Sequence, residues 1–242
     1  MSDNHGKLDF SVPSCDLLLI GGDVCPDWAP GTSWGSSMQE QWLNSKWLNW
    51  LDAQPADRVI ATFGNHDFVR KQEAPANFKV DELVEISTGE RIPCGCPPST
   101  DNCRCKLNTN GLKIWFSPWS NTFGGWAWMA DPDTLGAAYS LIPNDIDIIV
   151  SHQPPYGYGD QVPERYRFSP SDIENDGHVG SRELLATIER VKPKVLICGH
   201  IHSGFGLYYH VRLDGGKTKI YNVSIVDEAY HRVNNPTEIV LD

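Results

Sequence analysis

Residues 58–67 read RVIATFGNHD. Arg58 to Phe63 is a short, nearly unbroken apolar run, the pattern of a strand buried on both faces. It stops at Gly64, and an amide, an imidazole and a carboxylate follow at once: Asn65, His66 and Asp67. The same grammar recurs along the chain. Asp16 to Ile20 (DLLLI) ends in Gly21-Gly22-Asp23. Asp147 to Val150 ends at Ser151-His152, and Lys194 to Cys198 ends at Gly199-His200-Ile201-His202. Each of these strands stops at a residue type that ligates metals. Asp3-Asn4-His5 adds a fifth cluster near the N-terminus.

Between the strands lie helical patterns. Ser36 to Ala53 carries Trp42, Leu43, Trp47, Leu48, Trp50 and Leu51 at helical spacing and is stopped by Pro55. Arg182 to Val191 is a second helix, stopped by Pro193. Leu207 to Leu213 and Lys217 to Val223 flank Asp214-Gly215-Gly216 and read as a hairpin. Thr237 to Leu241 reads as a last strand, and Asp81 to Ile86 and Leu112 to Phe116 as strands around a Cys-rich loop. No internal repeat or low-complexity linker divides residues 1–242, which are read as one domain. Mixed strands and helices imply a layered α/β fold. In such folds, ligand sites gather beyond the carboxyl ends of strands.

Composition narrows the function. The chain has 242 residues, 40% of them hydrophobic, with nine Trp, which is ample for a packed core. No stretch approaches the roughly 20 apolar residues of a membrane span, and Ser2 to Lys7 is polar, so no secretory signal is visible. A net charge of −11 argues against an extended nucleic-acid surface, though not against a nucleotide in a metal-lined pocket. A reducing cytosol is the expected location. Cys15, Cys25 and Cys198 then read as buried free thiols.

The clusters share one chemistry. Asp3 and His5 are two residues apart and project from one side of an extended segment, and His200 and His202 repeat that spacing. Asp23, directly after two glycines, can approach a cation closely, and one carboxylate can bridge two. Asn65 offers an amide oxygen and His152 another imidazole. Mixed nitrogen and oxygen ligation suits Mn, Fe or Zn rather than Ca or Mg. Two such ions about 3.5–4 Å apart clamp a phosphoryl group and generate a hydroxide nucleophile. The leaving oxygen then needs a proton donor, and His66, beside Asn65, is available; Asp67 is the candidate to hold its tautomer. Alone, each cluster has a bland reading: a polar terminus, a strand-end turn, a core histidine. The ordered set of five points to metal.

The series D-x-H, G-D, G-N-H-D, H and G-H-x-H resembles the calcineurin-like metallophosphoesterases over nearly the whole chain. Residues 111–128 (GLKIWFSPWSNTFGGWAW), Ser151 to Gly157 (SHQPPYG) and Cys198 to Gly206 (CGHIHSGFG) are similar to the branch containing metallophosphoesterase-domain-containing proteins and class III cyclic-nucleotide phosphodiesterases. The resemblance implies a four-layer β-sandwich flanked by α-helices, with two divalent or trivalent transition metals at one edge. It implies that Asp3, His5 and His202 hold the first metal, that Asn65, His152 and His200 hold the second, and that Asp23 bridges them. It implies that His66 contacts the phosphate and protonates the leaving group. The implied substrate is a small phosphate ester, a cyclic nucleotide or another phosphodiester among them. A phosphomonoesterase and a low-turnover scaffold on the same fold are the alternatives.

Two features depart from that pattern. Members of the family begin with a hydrophobic strand that delivers Asp-x-His, whereas only Met1 and Ser2 precede Asp3 here. Asp3 and His5 are therefore expected to be weakly held, with lower affinity at the first metal. The second departure is Pro93 to Cys105 (PCGCPPSTDNCRC). Cys94, Cys96, Cys103 and Cys105 offer four thiolates, enough for a structural zinc, with paired disulfides or a reduced loop as the other readings. Among the aromatic residues, Trp119, Phe123, Trp126 and Trp128 read mostly as core or loop anchors, with one or two at the pocket rim. Tyr156, Ser203 and Phe205 are further rim candidates.

Overall fold

The computed structural model describes residues 1–86, 111–167 and 169–241. The chain opens with β1 (Cys15–Gly21) and α1 (Ser33–Trp42), which runs through a π-helical turn (Leu43–Trp47) into α2 (Leu48–Asp52). Then come β2 (Ala56–Thr62), β3 (Glu82–Ile86), β4 (Leu112–Ser117), the short β5 (Ser120–Asn121) and β6 (Met129–Ala130), and α3 (Pro132–Ser140). The remainder is β7 (Ile148–Ser151), α4 (Pro170–Glu174), α5 (Arg182–Val191), β8 (Val195–Cys198), β9 (Gly206–Val211) and β10 (Lys217–Asn222).

β1 and β2 pair in parallel, and a six-stranded sheet runs in the order β3-β4-β7-β8-β10-β9. Leu17, Leu19 and Ile60 pack against Ile114, Phe116, Ile148, Val150, Val195 and Ile197, so the two sheets face each other. Trp42, Leu43, Trp47 and Trp50 cover the outer face of β1–β2 from the first helical segment. Leu135, Tyr139, Leu184 and Ile188 of α3 and α5 cover the outer face of the large sheet. The order is helix, sheet, sheet, helix, the four-layer sandwich expected. The central strands β7 and β8 are buried at every residue because both faces are covered. That is why their sequences are continuous apolar runs rather than alternating ones.

α5 spans the residues read from the sequence. Ser181 caps it by accepting from the Leu184 N–H, Lys192 leaves it in the left-handed region, and Leu184, Thr187, Ile188 and Val191 form the buried face. α3 went unread, although Asp131 accepting from the Thr134 N–H with Pro132 in the first turn is a strong helix start. Thr237 to Leu241 is not a strand. It lies along an apolar cleft of about 410 Å³, also lined by Leu17, Leu19, Ile148 and Val195. Ile239 and Leu241 pack on the core between the sheets, but no backbone among the described residues forms a ladder with them. Apolar alternation without a partner gives burial, not a strand. Cys94, Cys96, Cys103 and Cys105 lie outside the described residues.

Met1 to Asp3 take the place expected of a longer first strand. The Gly21 N–H donates to the Met1 carbonyl, the Ser2 N–H to Val223, the Asp3 N–H to Gly22 and the Ile225 N–H to Ser2. A three-residue stub is thereby bonded on one side to β1 and on the other to the chain leaving β10. The expectation of weakly held Asp3 and His5 is corrected by this placement: Asp3 is fully buried and His5 nearly so. Sheet hydrogen bonds on both flanks do locally what a full strand would do along its length.

Candidate metal centre

The five clusters converge at one end of the sheets. Asp3, His5 and His202 present ligand atoms within 4.8 Å of one another, and so do Asp23, His152 and His200. Asn65 joins the second group, its Oδ1 lying 2.8 Å from His152 Nε2. One atom joins the two groups. Asp23 Oδ2 lies 3.9 Å from His5 Nε2 and 3.4 Å from His152 Nε2. The other oxygen, Oδ1, accepts from the His66 N–H at 2.8 Å, which fixes the carboxylate's rotation.

The backbone bends sharply to bring these groups together. Asp3, His5, Asp23 and His200 all have positive φ, between 44° and 67°. That region is costly for side chains with a Cβ and persists where the surroundings enforce it. Two glycines make room. A Cβ on Gly64 would lie 2.2 Å from Asp23 Oδ1, and one on Gly199 would lie 2.1 Å from Asp3 Oδ2. Asp3 accepts from the His200 N–H at 3.0 Å and from the Ser224 hydroxyl. Asn222 donates to the carbonyls of Gly159 and Ile201, tying the Gly199–His202 turn down.

The polar atoms fit metals. Both His5 ring nitrogens are buried without a hydrogen-bond partner, and Nδ1, 3.3 Å from Asp27 Oδ2, is outside hydrogen-bond geometry. An orphaned buried donor or acceptor costs about 1–3 kcal/mol, which a cation at Nε2 would relieve. His202 Nδ1 lies 2.9 Å from the Asp227 carbonyl, so it carries the hydrogen and leaves Nε2 free, 3.7 Å from Asp3 Oδ1. His152 Nδ1 likewise meets the Gly21 carbonyl at 2.9 Å. Its Nε2 meets Asn65 Oδ1 and Asp23 Oδ2, so without metal the ring faces acceptors on both nitrogens. Burial pulls its pKa down, but the Asp23 charge outweighs burial and the ring is pushed up to about 9. The extra proton sits where a cation would bind. His200 is pulled down to about 3 by burial and by His152, and so offers a free lone pair. Asp23 is held well below the usual carboxylate range: burial opposes this, and His152 and His66 outweigh it.

The assignment of Asp67 as the residue holding His66 is corrected. Asp67 accepts from the backbone N–H groups of Val24, Cys25 and Gly64 at 2.8–3.0 Å, and so locks the two ligand-bearing turns together. Its carboxylate is fully engaged with backbone. The group on His66 is Asp27, whose Oδ1 lies 2.5 Å from His66 Nδ1. Burial pulls the His66 pKa down, but Asp23 and Asp27 raise it above the ordinary value. Asp27 itself is held well below the carboxylate range, its burial outweighed by His5 and His66. Its sequence signal was its place four residues after Asp23 in the same loop. Gln39 of α1 was also missed. It donates to the carbonyls of Pro26 and His66 and accepts from the Phe68 N–H, fastening both loops to the helix.

Aromatic rings surround the centre. Trp126 stacks on His66 at 4.2 Å, Phe123 lies 5.3 Å from the His200 ring, and Tyr230 lies 4.7 Å from His5 and 5.4 Å from His202. Tyr230 is pushed up to about 12 by burial and by the charges of Asp27, Asp23 and Asp3. Trp128 stacks on Phe63, and Trp119 donates to Asp81, so both are anchors. The Tyr156 ring is covered by Arg182, whose guanidinium carbon lies 3.6 Å from the ring centre, and its hydroxyl donates to Asn175. Ser203 bonds Glu228 and Gln161, and Phe205 is 39% exposed.

The human metallophosphoesterase domain-containing protein 1 is 28% identical over 256 residues, covering 100% of this chain and 69% of that protein. UPF0046 protein K07C11.7 of Caenorhabditis elegans is 32% identical over 227 residues, covering 93% of this chain and 68% of its own length. One crystal structure, 13% identical, shares the fold with a TM-score of 0.50 over 86% of this chain and 79% of that one. The calcineurin-like phosphoesterase family model matches residues 4–204, and this chain belongs to that family.

Proposed function

We propose that this chain is a binuclear metal-dependent phosphodiesterase. The observation that carries the two-metal reading is Asp23 Oδ2, placed between His5 and His152 so that one carboxylate serves both ligand groups. Asp3, His5, His202 and Asp23 would hold one ion; Asn65, His152, His200 and Asp23 would hold the other. Mn, Fe and Zn all suit this ligand set. Bound there, the ions supply Lewis acidity at the phosphoryl oxygens and a nucleophilic water at neutral pH.

The chain's own residues do the rest. Asp27 holds His66 Nδ1–H and leaves Nε2–H to donate to the leaving oxygen. Trp126, stacked on the ring, fixes its plane. The diester reading rests on charge. Among the described residues, Asp3, Asp23 and Asp27 form ion pairs with histidines and with no Lys or Arg. With the two ions supplying the positive charge and no Lys or Arg paired to these carboxylates to meet a further phosphate charge, a diester monoanion is the better match than a monoester dianion. A planar leaving group, such as a nucleobase-bearing alcohol, would meet Phe123 and Trp126. The buried free thiols Cys25 and Cys198 suit a reducing cytoplasm. No helix among the described residues is long and apolar enough to cross a membrane.

The test is hydrolysis of bis(4-nitrophenyl) phosphate against 4-nitrophenyl phosphate, with Mn, Fe or Zn added to metal-stripped protein. The diester should be preferred, and His66→Ala should retain metal while losing most of its activity on diphenyl phosphate, whose leaving group needs a proton. Preference for the monoester would make the chain a phosphomonoesterase. A folded, metal-loaded protein that hydrolyses neither would be a scaffold.

A further inference from the structure

Tyr230 lies beyond the residues matched by the family model, yet it closes the centre from the C-terminal side. Its ring stands edge-on to three imidazoles at once: His5 at 4.7 Å, His202 at 5.4 Å and His66 at 5.9 Å. No other described Phe, Tyr or Trp ring touches both the first ligand group and the candidate acid. The residue is 37% exposed, so core packing does not demand an aromatic residue here. Its backbone is nevertheless held at φ 60°, a conformation unfavourable for a bulky residue. Such outliers persist where the surroundings enforce them, and they gather at working sites.

What enforces it is Asp227. Its carboxylate accepts from the N–H groups of Ala229 and His231, and its carbonyl accepts from the Tyr230 N–H. The same carbonyl meets His202 Nδ1. One residue therefore sets both the tautomer of a metal ligand and the turn that aims Tyr230. The phenol oxygen has no hydrogen-bond partner among the described residues, and it lies in the field of Asp27, Asp23 and Asp3. A phenol is protonated at neutral pH and can donate.

We infer that Tyr230 is a substrate-binding residue, donating its phenolic hydrogen bond to a non-bridging oxygen of the phosphoryl group held at this centre. This rests on the phosphoesterase reading above. Phosphoryl oxygens are charged acceptors, and the described residues offer Tyr230 no other.

The probe is inorganic phosphate, titrated calorimetrically into Mn-loaded wild type, Tyr230→Phe and Tyr230→Leu, with metal content measured on each. Tyr230→Phe keeps the ring and should keep the metal content and melting temperature. It should bind phosphate about 10- to 100-fold more weakly, the loss expected for a hydrogen bond to a charged group. Its kcat/KM for the diester should fall by a similar factor. Tyr230→Leu should lose no less. Wild-type phosphate affinity in Tyr230→Phe would overturn the assignment; if Tyr230→Leu alone were impaired, the ring would be a packing wall and nothing more. A wild type that takes up metal but neither binds phosphate nor cleaves any ester would sink the phosphoesterase reading itself.

Discussion

Replacing Asp27 by Asn separates the two carboxylates that compete for the role of holding His66. Asp27 Oδ1 is 2.5 Å from His66 Nδ1, whereas Asp67 is spent on three backbone N–H groups. A hydrogen bond to a charged group contributes about 1.5–3 kcal/mol. The Asp27 side chain is 34% exposed, so solvent screening favours the lower end. The sign follows from the role. His66 acts as an acid, so activity is present while it is protonated and is lost as pH rises through its pKa. Asp27 raises that pKa and extends the active range upward; Asp27→Asn should move the alkaline limb of kcat/KM toward acid. Asn can still accept through Oδ1, so the ring keeps its tautomer and the plateau should fall only about tenfold. The loss should be larger for diphenyl phosphate, whose leaving group needs a proton, than for bis(4-nitrophenyl) phosphate. The assay is the pH profile of both substrates in wild type, Asp27→Asn and Asp67→Asn, with metal content held equal. An alkaline limb that moves in Asp67→Asn and stays put in Asp27→Asn would refute the reasoning.

Other outcomes follow from the same geometry. Gly199→Ala places a Cβ 2.1 Å from Asp3 Oδ2, so it should reduce metal content at the first group while the second still fills. Elemental analysis per chain checks this. Asp67→Ala leaves the N–H groups of Val24, Cys25 and Gly64 without an acceptor and should cost about 3–5 kcal/mol, read by urea unfolding of the metal-free protein. His152, pushed up to about 9 without metal, must lose a proton before its Nε2 can ligate. Metal affinity should therefore rise with pH up to about 9 and weaken below it. Calorimetry of metal binding at pH 7.5 in buffers of different ionisation enthalpy should show proton release.

The residue types of the centre were legible because they sit where strands stop. β2 runs into Asn65 and His66, β7 into His152, and β8 into His200, and an apolar run ending at a ligand is a local pattern. The layers were legible for the same reason: β7 and β8 are apolar throughout because both faces are buried. Sequence by itself thus determined the candidate ligands, their strand-end placement and the layered α/β class, and the family resemblance supplied the four-layer sandwich. Three matters were decided only by the tertiary structure. The choice of Asp27 over Asp67 depends on which carboxylate finds an imidazole and which finds backbone, and neighbours in sequence do not settle that. The hold on Asp3 depends on a stub bonded between β1 and the chain after β10, partners about 20 and 220 residues away. Tyr230 depends on a turn set by Asp227 and aimed at residues more than 160 positions earlier, His5 and His66. Local patterns record what a residue can do; long-range hydrogen bonds and close packing select which residue does it.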